Sequence, residues 1–476
     1  MIVHKFGGTS VGSPDRFSCV ADILTSQDSK SSSSNGLSQR VVVVSAMNGV
    51  TDQLIQGARA AAEKNDSLHR EIKANLLHKH LEVAETQLKN SPERLEIGGL
   101  IEDRLHDLER LYRSIAVLGE LTVRSRDAVA SIGEQLSANI LSAVLRERDV
   151  RSKAISAVEL IVTDGNFGAA RPLLDKTKQQ IHKKLYPLLE RGIVPVITGY
   201  IAATEDGIPT TLGRGGSDFT AAIIGACLQV DEVWIWSDVD GILTADPNLV
   251  PNARTLSELS YSEAADLAYY GAEVLHPKTI QPLIESGIPL RLLNSFNPTH
   301  QGTLIVQEPD SDRENLPAII STTGYSLIAA GSPDDSWTLY DAARALQRLS
   351  EAGLDVPMFS QSFSEHTLNL VVREQDQTHI LHILRRELGE DFHLGTKEKV
   401  ATVSVVGVPD WNETGILSHT FAALGKLDTR VIAVAQAATE YSVSFCIPAE
   451  QLADTVRFLH KEFGLENGHK TKTNHA

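Results

Sequence analysis

Between residue 2 and about residue 306, short β-branched apolar runs alternate with longer stretches in which Leu and Ile recur every three or four positions. Residues 41–45, 194–198 and 232–237 are brief, rich in Val and Ile and bounded by turn formers, a pattern that predicts buried strands. Residues 66–88 and 100–118 carry the helical spacing, with Pro92 between them, and predict two amphipathic helices. Strands alternating with helices predict a mostly parallel sheet covered by helices on both faces, a three-layer α/β/α arrangement. Residues 26–39, with serine at 31 to 34, have no apolar pattern and predict a solvated loop before the second strand.

The pattern changes near residues 307–315, a charged, proline-containing segment that fits a linker. Beyond it the chain repeats itself. An apolar strand at 325–330, a helix at 339–352 and strands at 356–361 and 367–372 recur in outline at 400–406, 412–424, 430–436 and 442–447, and each set ends in a further helix. Gln361 and Gln436 occupy matching positions in the two copies, each just before the turn that joins two strands. Two βαββα units about 75 residues apart describe a duplicated α+β module. One such unit leaves a bare sheet edge and face, which pairing covers. The predicted division is residues 1–306, 316–392 and 398–464, with the alternative that the last is inserted within the module before it, and a polar tail at 465–476.

Composition narrows the class. A chain of 476 residues exceeds one core, and 42% hydrophobic against 22% charged residues is ordinary for a globular enzyme. The formal charge of -17, from 61 acidic and 44 basic residues, argues against a nucleic-acid surface, which needs clustered Lys and Arg. Cys19, Cys227 and Cys446 lie far apart with no metal-ligand spacing, so a reducing compartment is expected and no protein-held metal. No unbroken apolar run reaches the ~20 residues of a membrane span, and no leader precedes the first strand. The expectation is a cytoplasmic protein with no membrane partner.

Several clusters carry chemistry. Lys5 on the first strand runs into Gly7-Gly8-Thr9-Ser10, where glycines let backbone N–H groups face an anion, two hydroxyls add donors and a helix beginning at Asp15 points its positive end the same way. The turn matches neither the Walker nor the dinucleotide spacing, and alone it also fits a tight strand-to-helix turn. Gly213-Arg214-Gly215-Gly216-Ser217-Asp218 opens another helix: Arg214 can grip a carboxylate, Ser217 is a natural N-cap, and Asp218 can hold a lysine or a metal-bound water. A capped turn with a surface arginine is the plainer reading. Ser237-Asp238-Val239-Asp240-Gly241 follows a buried strand without the ligand spacing of a calcium loop and fits a nucleotide site at a strand end. Lys278, just inside a proline-started helix, is a second candidate cation for phosphates, or simply a solvated lysine.

Taken in order with Val43-Val44-Ser45-Ala46-Met47, Thr51 and Ser131-Ile132-Gly133-Glu134, these motifs resemble those of the aspartate kinases, across nearly the whole chain. The duplicated module is similar to the paired ACT domains, ferredoxin-like in fold, that follow the amino acid kinase (carbamate kinase-like) domain in that family. The resemblance implies phosphorylation of the side-chain carboxylate of L-aspartate by ATP with Mg²⁺, giving 4-phospho-L-aspartate, the first step towards lysine, threonine, methionine and isoleucine. It implies that Lys5 offsets charge on the transferring group while Gly7, Gly8, Thr9 and Ser10 cradle it, and that Asp218 orients Lys5 or the metal-bound water. Arg214 would meet the substrate carboxylate and Glu134 its ammonium, with Ser45, Thr51 and Ser217 lining the pocket. Ser237, Asp238 and Lys278 would hold the nucleotide. Ser237, Leu243 and Asn248 depart from the residues common in the family, which touches nucleotide affinity rather than reaction class.

The resemblance further implies feedback control by an amino acid, threonine or lysine, contacting Gln361 and Gln436. It implies a homodimer or homotetramer, and no fused homoserine dehydrogenase, as some relatives have, is expected. Two other functions stay open: another enzyme of the amino acid kinase fold, acting on acetylglutamate, glutamate or a nucleoside monophosphate, and a non-catalytic amino-acid sensor. Intact Lys5, Arg214 and Asp218 weigh against the sensor, which needs no phosphoryl-transfer groups.

Overall fold

A computed structural model describes residues 1–26, 40–89, 91–269, 275, 277–331, 337–362, 366–389, 392–407, 415–436 and 442–466. The chain packs as two units, residues 1–242, 257–265 and 273–310 in the first, and 243–256, 266–272 and 311–476 in the second.

The first unit begins with β1 (Ile2–Phe6), α1 (Pro14–Ser26), β2 (Arg40–Val44), α2 (Val50–Ala62), α3 (Asp66–Gln87), α4 (Ser91–Leu118) and α5 (Val123–Glu147). It continues through β3 (Ser152–Ile155), β4 (Val162–Thr163), α6 (Leu174–Leu189), β5 (Val194–Thr198), β6 (Ile201–Thr204), β7 (Pro209–Thr211), α7 (Gly216–Leu228) and β8 (Glu232–Ser237). Then follow β9 (Glu258–Ser260), α8 (Tyr261–Tyr269, whose residues from 266 count with the second unit), α9 (Pro277–Ser286), β10 (Leu290–Asn294) and β11 (Thr303–Val306). Eight strands form the sheet β3-β5-β2-β1-β8-β10-β11-β9, parallel from β3 to β10, with the β10–β11 pair antiparallel. A small sheet β4-β6-β7 stands apart from it.

The valine runs explain the sheet. All of Val41–Val44 are buried, as a strand covered on both faces requires. Val42, Val44, Val196 and Trp236 pack in one core with Phe17, Leu54, Leu76, Leu105, Tyr112 and Leu141 from α1 to α5. On the opposite side α6 and α9 each pack against α7, and α7 lies on β1 and β8. The expected helix at 100–118 is longer, because Pro92 lies in the first turn of α4 rather than between helices, where a missing N–H costs nothing.

Among the described residues one helix, α5, is long and apolar enough to cross a membrane, which the sequence pattern did not anticipate. With 83% of its apolar window buried inside the protein, it is the central core helix. Cys19, Cys227 and Cys446 are free.

The second unit holds β12 (Ala318–Gly331), α10 (Leu339–Glu351), β13 (Met358–Ser362), β14 (Thr367–Arg373), α11 (Gln377–Leu388), β15 (His393–Val406), α12 (Gly415–Leu427), β16 (Ala433–Gln436), β17 (Ser442–Pro448) and α13 (Leu452–Glu462). They form an antiparallel sheet in the order β13-β14-β12-β15-β17-β16. The two βαββα copies share it through their first strands. The late half of β12 pairs with β14 and the early part of β15, and its first five residues pair with the end of β15, which also pairs with β17. Register shifts at Thr322 and Tyr325 mark the change between halves. The outer strands β13 and β16 also touch, so the sheet curls around Tyr325, Leu327, Met358, Val371, Val400, Ala433 and Cys446.

Residues 243–256, continuous in sequence with the nucleotide-like segment after β8, pack in this second unit. Ala245 and Val250 join Ile319, Val403, Phe445 and Leu459 in its core, and the buried Thr244 hydroxyl meets His460 Nε2 at 2.9 Å.

Candidate active site

In a doubly covered parallel sheet the loops at the carboxyl ends of the strands are where side chains from several strands converge. Here those ends are Phe6, Val44, Thr198, Ser237 and Asn294. Strand β1 is anchored beside β8 by a stack of rings. Phe6 lies on Trp236 with centroids 5.8 Å apart, and the Trp236 indole N–H donates to His4 Nδ1 at 3.3 Å. Burial drives His4 down to about 3, so it stays neutral and can accept that bond. Between these anchors Lys5, 9% exposed, forms an ion pair with Asp218 from the first turn of α7, Nζ to Oδ1 2.6 Å. Its ammonium lies 3.7 Å from where a Cβ on Gly7 would stand, against the glycine turn.

That turn is tied on several sides. The Gly7 N–H donates to the Trp236 carbonyl at 3.1 Å, and Gly8 O accepts from Asn48 N–H at 3.1 Å. Thr9 opens a short 3₁₀ turn, Thr9–Val11, so α1 starts at Pro14 rather than directly behind the glycines. The buried Ser10 hydroxyl makes a 2.8 Å bond to the Ser295 hydroxyl and lies 3.4 Å from the Trp236 carbonyl. Its side chain therefore braces the turn against β8 and β10. Arg16 completes the brace, donating to the Ser295 carbonyl and hydroxyl at 2.8 Å with its guanidinium over the Phe296 ring.

The turn after β2 joins this region to α5. Ser45 N–H donates to Phe6 O, and Thr51 stands half-buried at the start of α2. Ala46 N–H donates to the carboxyl group of Glu134. Glu134 is 3% exposed, its Oε2 has no protein partner, and burial pushes its pKa up to about 8. Gly133 permits this approach, since a Cβ there would sit 2.8 Å from the Ala46 Cβ.

Gly215, at φ +71°, makes the left-handed entry to α7 and takes the capping position expected for Ser217. Ser217 is instead inside the helix and buried, with its hydroxyl against Gly199. Arg214 is exposed on the turn. Tyr200 is held at φ +66°, which a bulky residue rarely adopts, by its N–H bond to Thr220 and by Leu212 N–H donating to its carbonyl. Burial raises the pKa of its phenol, which also bonds Thr211 and lies in the field of Glu134 and Asp127.

On the β8 side, the Ser237 hydroxyl accepts from Val239 N–H at 3.4 Å and Asp238 is exposed. Asp240 accepts from the amides of Asn294 and Asn297 at 2.9 and 3.2 Å, which ties this segment to the end of β10. Lys278 belongs to α9, with its side chain outside the described residues, as are residues 271–274 and 276. Gln361 is the penultimate residue of β13 and Gln436 the last of β16 in the second unit, and the turns that follow also lie outside the described residues.

The site thus gathers Lys5, Gly7 and Asp218 in one group, Gly8, Ala46 and Glu134 in a chain of contacts, and Ser217 beside Gly199 and Tyr200. Asp127, Tyr200, Ser295 and Arg16 had no motif to flag them. The one usable signal was helical spacing, which sets Asp127 two turns before Glu134 on the same face of α5. Among the described residues no three His, Cys, Asp or Glu side chains cluster as a metal site.

This geometry can be set beside known proteins. Residues 1–294 match the model of the amino acid kinase family, and residues 403–463 match an ACT domain. The chain belongs to the amino acid kinase family. Within it, the chain is 31% identical to Aspartokinase 1, chloroplastic, of Arabidopsis thaliana, over 97% of this chain and 80% of that protein. It is 32% identical to Bifunctional aspartokinase/homoserine dehydrogenase 2, chloroplastic, of the same plant, over 97% of this chain but 50% of that protein. The chain spans about half the length of such bifunctional relatives. Escherichia coli aspartokinase III in complex with aspartate and ADP superimposes with a TM-score of 0.79 at 27% identity, covering 97% of this chain and 99% of that one. The same enzyme in complex with lysine and aspartate gives 0.80, with the same coverage.

Proposed function

We propose that this family member is an aspartate kinase, which transfers the γ-phosphoryl group of ATP to the side-chain carboxylate of L-aspartate and releases 4-phospho-L-aspartate and ADP. The observation that carries the reading is the buried Lys5–Asp218 pair beside the glycine turn at the carboxyl end of β1, together with the buried Glu134, whose Oε2 has no protein partner. Aspartokinase III of Escherichia coli, described with aspartate and ADP, supports the same substrates here.

The chemistry follows from charge. A carboxylate nucleophile is ionised at neutral pH and needs no general base, so the task is to bring one anion against a polyanion. Lys5, held by Asp218, supplies a fixed positive charge in a site largely screened from water, where it counts for more than in solution. The Gly7 amide and the Ser10 hydroxyl are committed within the protein, so an anion at this turn draws on Gly8 and Thr9, with Lys5 beside them. Glu134 takes the substrate ammonium and Arg214 its α-carboxylate, with Ser45, Thr51 and Ser217 between, so that a zwitterion is selected. Ser237, Asp238 and Lys278 serve the nucleotide.

The donor set fits a Mg²⁺ that arrives with ATP, since that ion prefers phosphate oxygens with one or two carboxylates, and Asp218 is the carboxylate nearest Lys5. When bound, the ion adds charge neutralisation on the phosphates. An amino-acid effector at the second unit, contacting Gln361 and Gln436, is the regulatory part of the proposal. The lysine complex of aspartokinase III supports such an effector. Lys5→Ala tests the catalytic reading: turnover should disappear while the protein stays folded, and retained turnover would remove Lys5 from the reaction.

A further inference from the structure

Asp127 has no role in the chemistry just described, yet it is 1% exposed and joins three elements. One of its oxygens accepts from Gly168 N–H at 2.7 Å and from Thr211 N–H at 3.1 Å, and the other accepts from the Thr211 hydroxyl at 2.9 Å. Thr211 ends β7, two residues before the turn that carries Arg214 and Ser217, and its carbonyl accepts from Ala170 N–H at 2.9 Å. The 165–169 loop lies under the same turn, with Gly168 O 3.4 Å from where a Cβ on Gly213 would be. On the other side, Asp127 and Glu134 lie on one face of α5, about 10 Å apart along the axis. Thr211 also bonds the Tyr200 phenol, and Tyr200 packs on Gly216 at the start of α7.

We propose that Asp127 is a positioning residue for the amino-acid substrate, setting the separation between the ammonium-binding Glu134 on α5 and the carboxylate-binding turn at Arg214 and Ser217. The idea rests on the aspartate kinase reading. The α-ammonium and α-carboxylate of the substrate share one carbon and stand at one fixed separation, so a rigid spacing between the two protein groups lets both grip the substrate at once and fixes where its side-chain carboxylate is presented. Two backbone N–H groups and one hydroxyl hold that spacing through a single buried carboxyl, and a misplacement of ~1 Å at such a site is worth about a hundredfold in rate.

The test compares wild type, Asp127→Ala, Asp127→Asn and Thr211→Val by steady-state kinetics with aspartate and ATP varied in turn, alongside thermal melts. Asp127→Ala should raise KM for aspartate by about tenfold, the scale of losing a hydrogen bond to a carboxylate. KM for ATP should stay within about twofold. Asp127→Asn keeps an acceptor for both amides and a donor for Thr211 Oγ1, so it should restore most of the aspartate affinity. Thr211→Val, nearly the same shape and leaving the Asp127 amide contacts intact, should show a smaller shift in the same direction and folds even if the alanine variant does not. Parallel rises in both KM values, or an aspartate KM unchanged in Thr211→Val, would overturn the positioning role. Wild-type protein that makes no acyl phosphate from aspartate would instead overturn the reading of the reaction, and this inference with it.

Discussion

At the scale of single residues, Glu134 makes the sharpest pH prediction. Its folded pKa of about 8 comes from burial, so the free protein holds it protonated at neutral pH, whereas binding an ammonium needs the carboxylate. KM for aspartate should therefore fall as pH rises towards 8, by close to tenfold per unit on the acid side, and level off above. Glu134→Gln should raise KM and flatten the profile, and a flat wild-type profile would contradict the assignment. The same shift bears on stability. A folded state that holds its proton more tightly than the unfolded chain loses that advantage as pH climbs from the ordinary carboxyl range through 8. Melts of Glu134→Gln should lack this loss relative to wild type. Lys5 and Asp218 were flagged in the sequence by glycine-bounded motifs whose residue types suit the proposed chemistry, and Glu134 only by the resemblance to the aspartate kinases. Asp127 and Tyr200 were not, since an aspartate in a helix and a tyrosine after a strand are commonplace until distant segments close around them. Ser10 was read as a phosphate donor from its place in the glycine turn. Only the long-range contact with Ser295, 285 positions away, reveals that its hydroxyl faces the protein.

At the scale of elements, the approach of α5 to the turn after β2 sets the shape of the pocket. Gly133→Val would meet Ala46, Val50 and Leu54, with the first contact at 2.8 Å for the Cβ alone, and must push α5 away. The Ala46 bond to Glu134 should then break. Activity with aspartate should fall by at least about a hundredfold, and the melting temperature by several degrees, as overpacking of about 1–3 kcal/mol implies. Unchanged kinetics would show that the close approach is dispensable. The sequence predicted the elements well where periodicity was strong, as for β2, β5, β8 and α3. It understated α4 by treating Pro92 as a separator, because a proline is compatible with a first helical turn and sequence alone does not say on which side the helix lies. It also placed the first strand of the duplicated module at 325, whereas β12 begins at Ala318. The earlier residues are paired only with the second copy, so no local repeat marks them.

At the scale of the whole molecule, the two units divide labour between the proposed chemistry and its control. An exposed Phe359 on β13 and a partly exposed Val434 on β16 leave apolar surface on the outer strands of the second sheet, as expected of a module that pairs with another copy. Light scattering should find dimers or tetramers, and a monomer at every working concentration would contradict that expectation. Gln361→Ala and Gln436→Ala should raise the concentration of threonine or lysine needed for inhibition while leaving uninhibited turnover intact, which separates the effector region from the reaction. The most direct test of the central claim is formation of aspartyl hydroxamate from L-aspartate, ATP, Mg²⁺ and hydroxylamine, run beside glutamate and acetylglutamate. The account predicts hydroxamate from aspartate, dependent on ATP and on Lys5, with little from the other two. Hydroxamate from glutamate or acetylglutamate alone, or from none of the three, would contradict it.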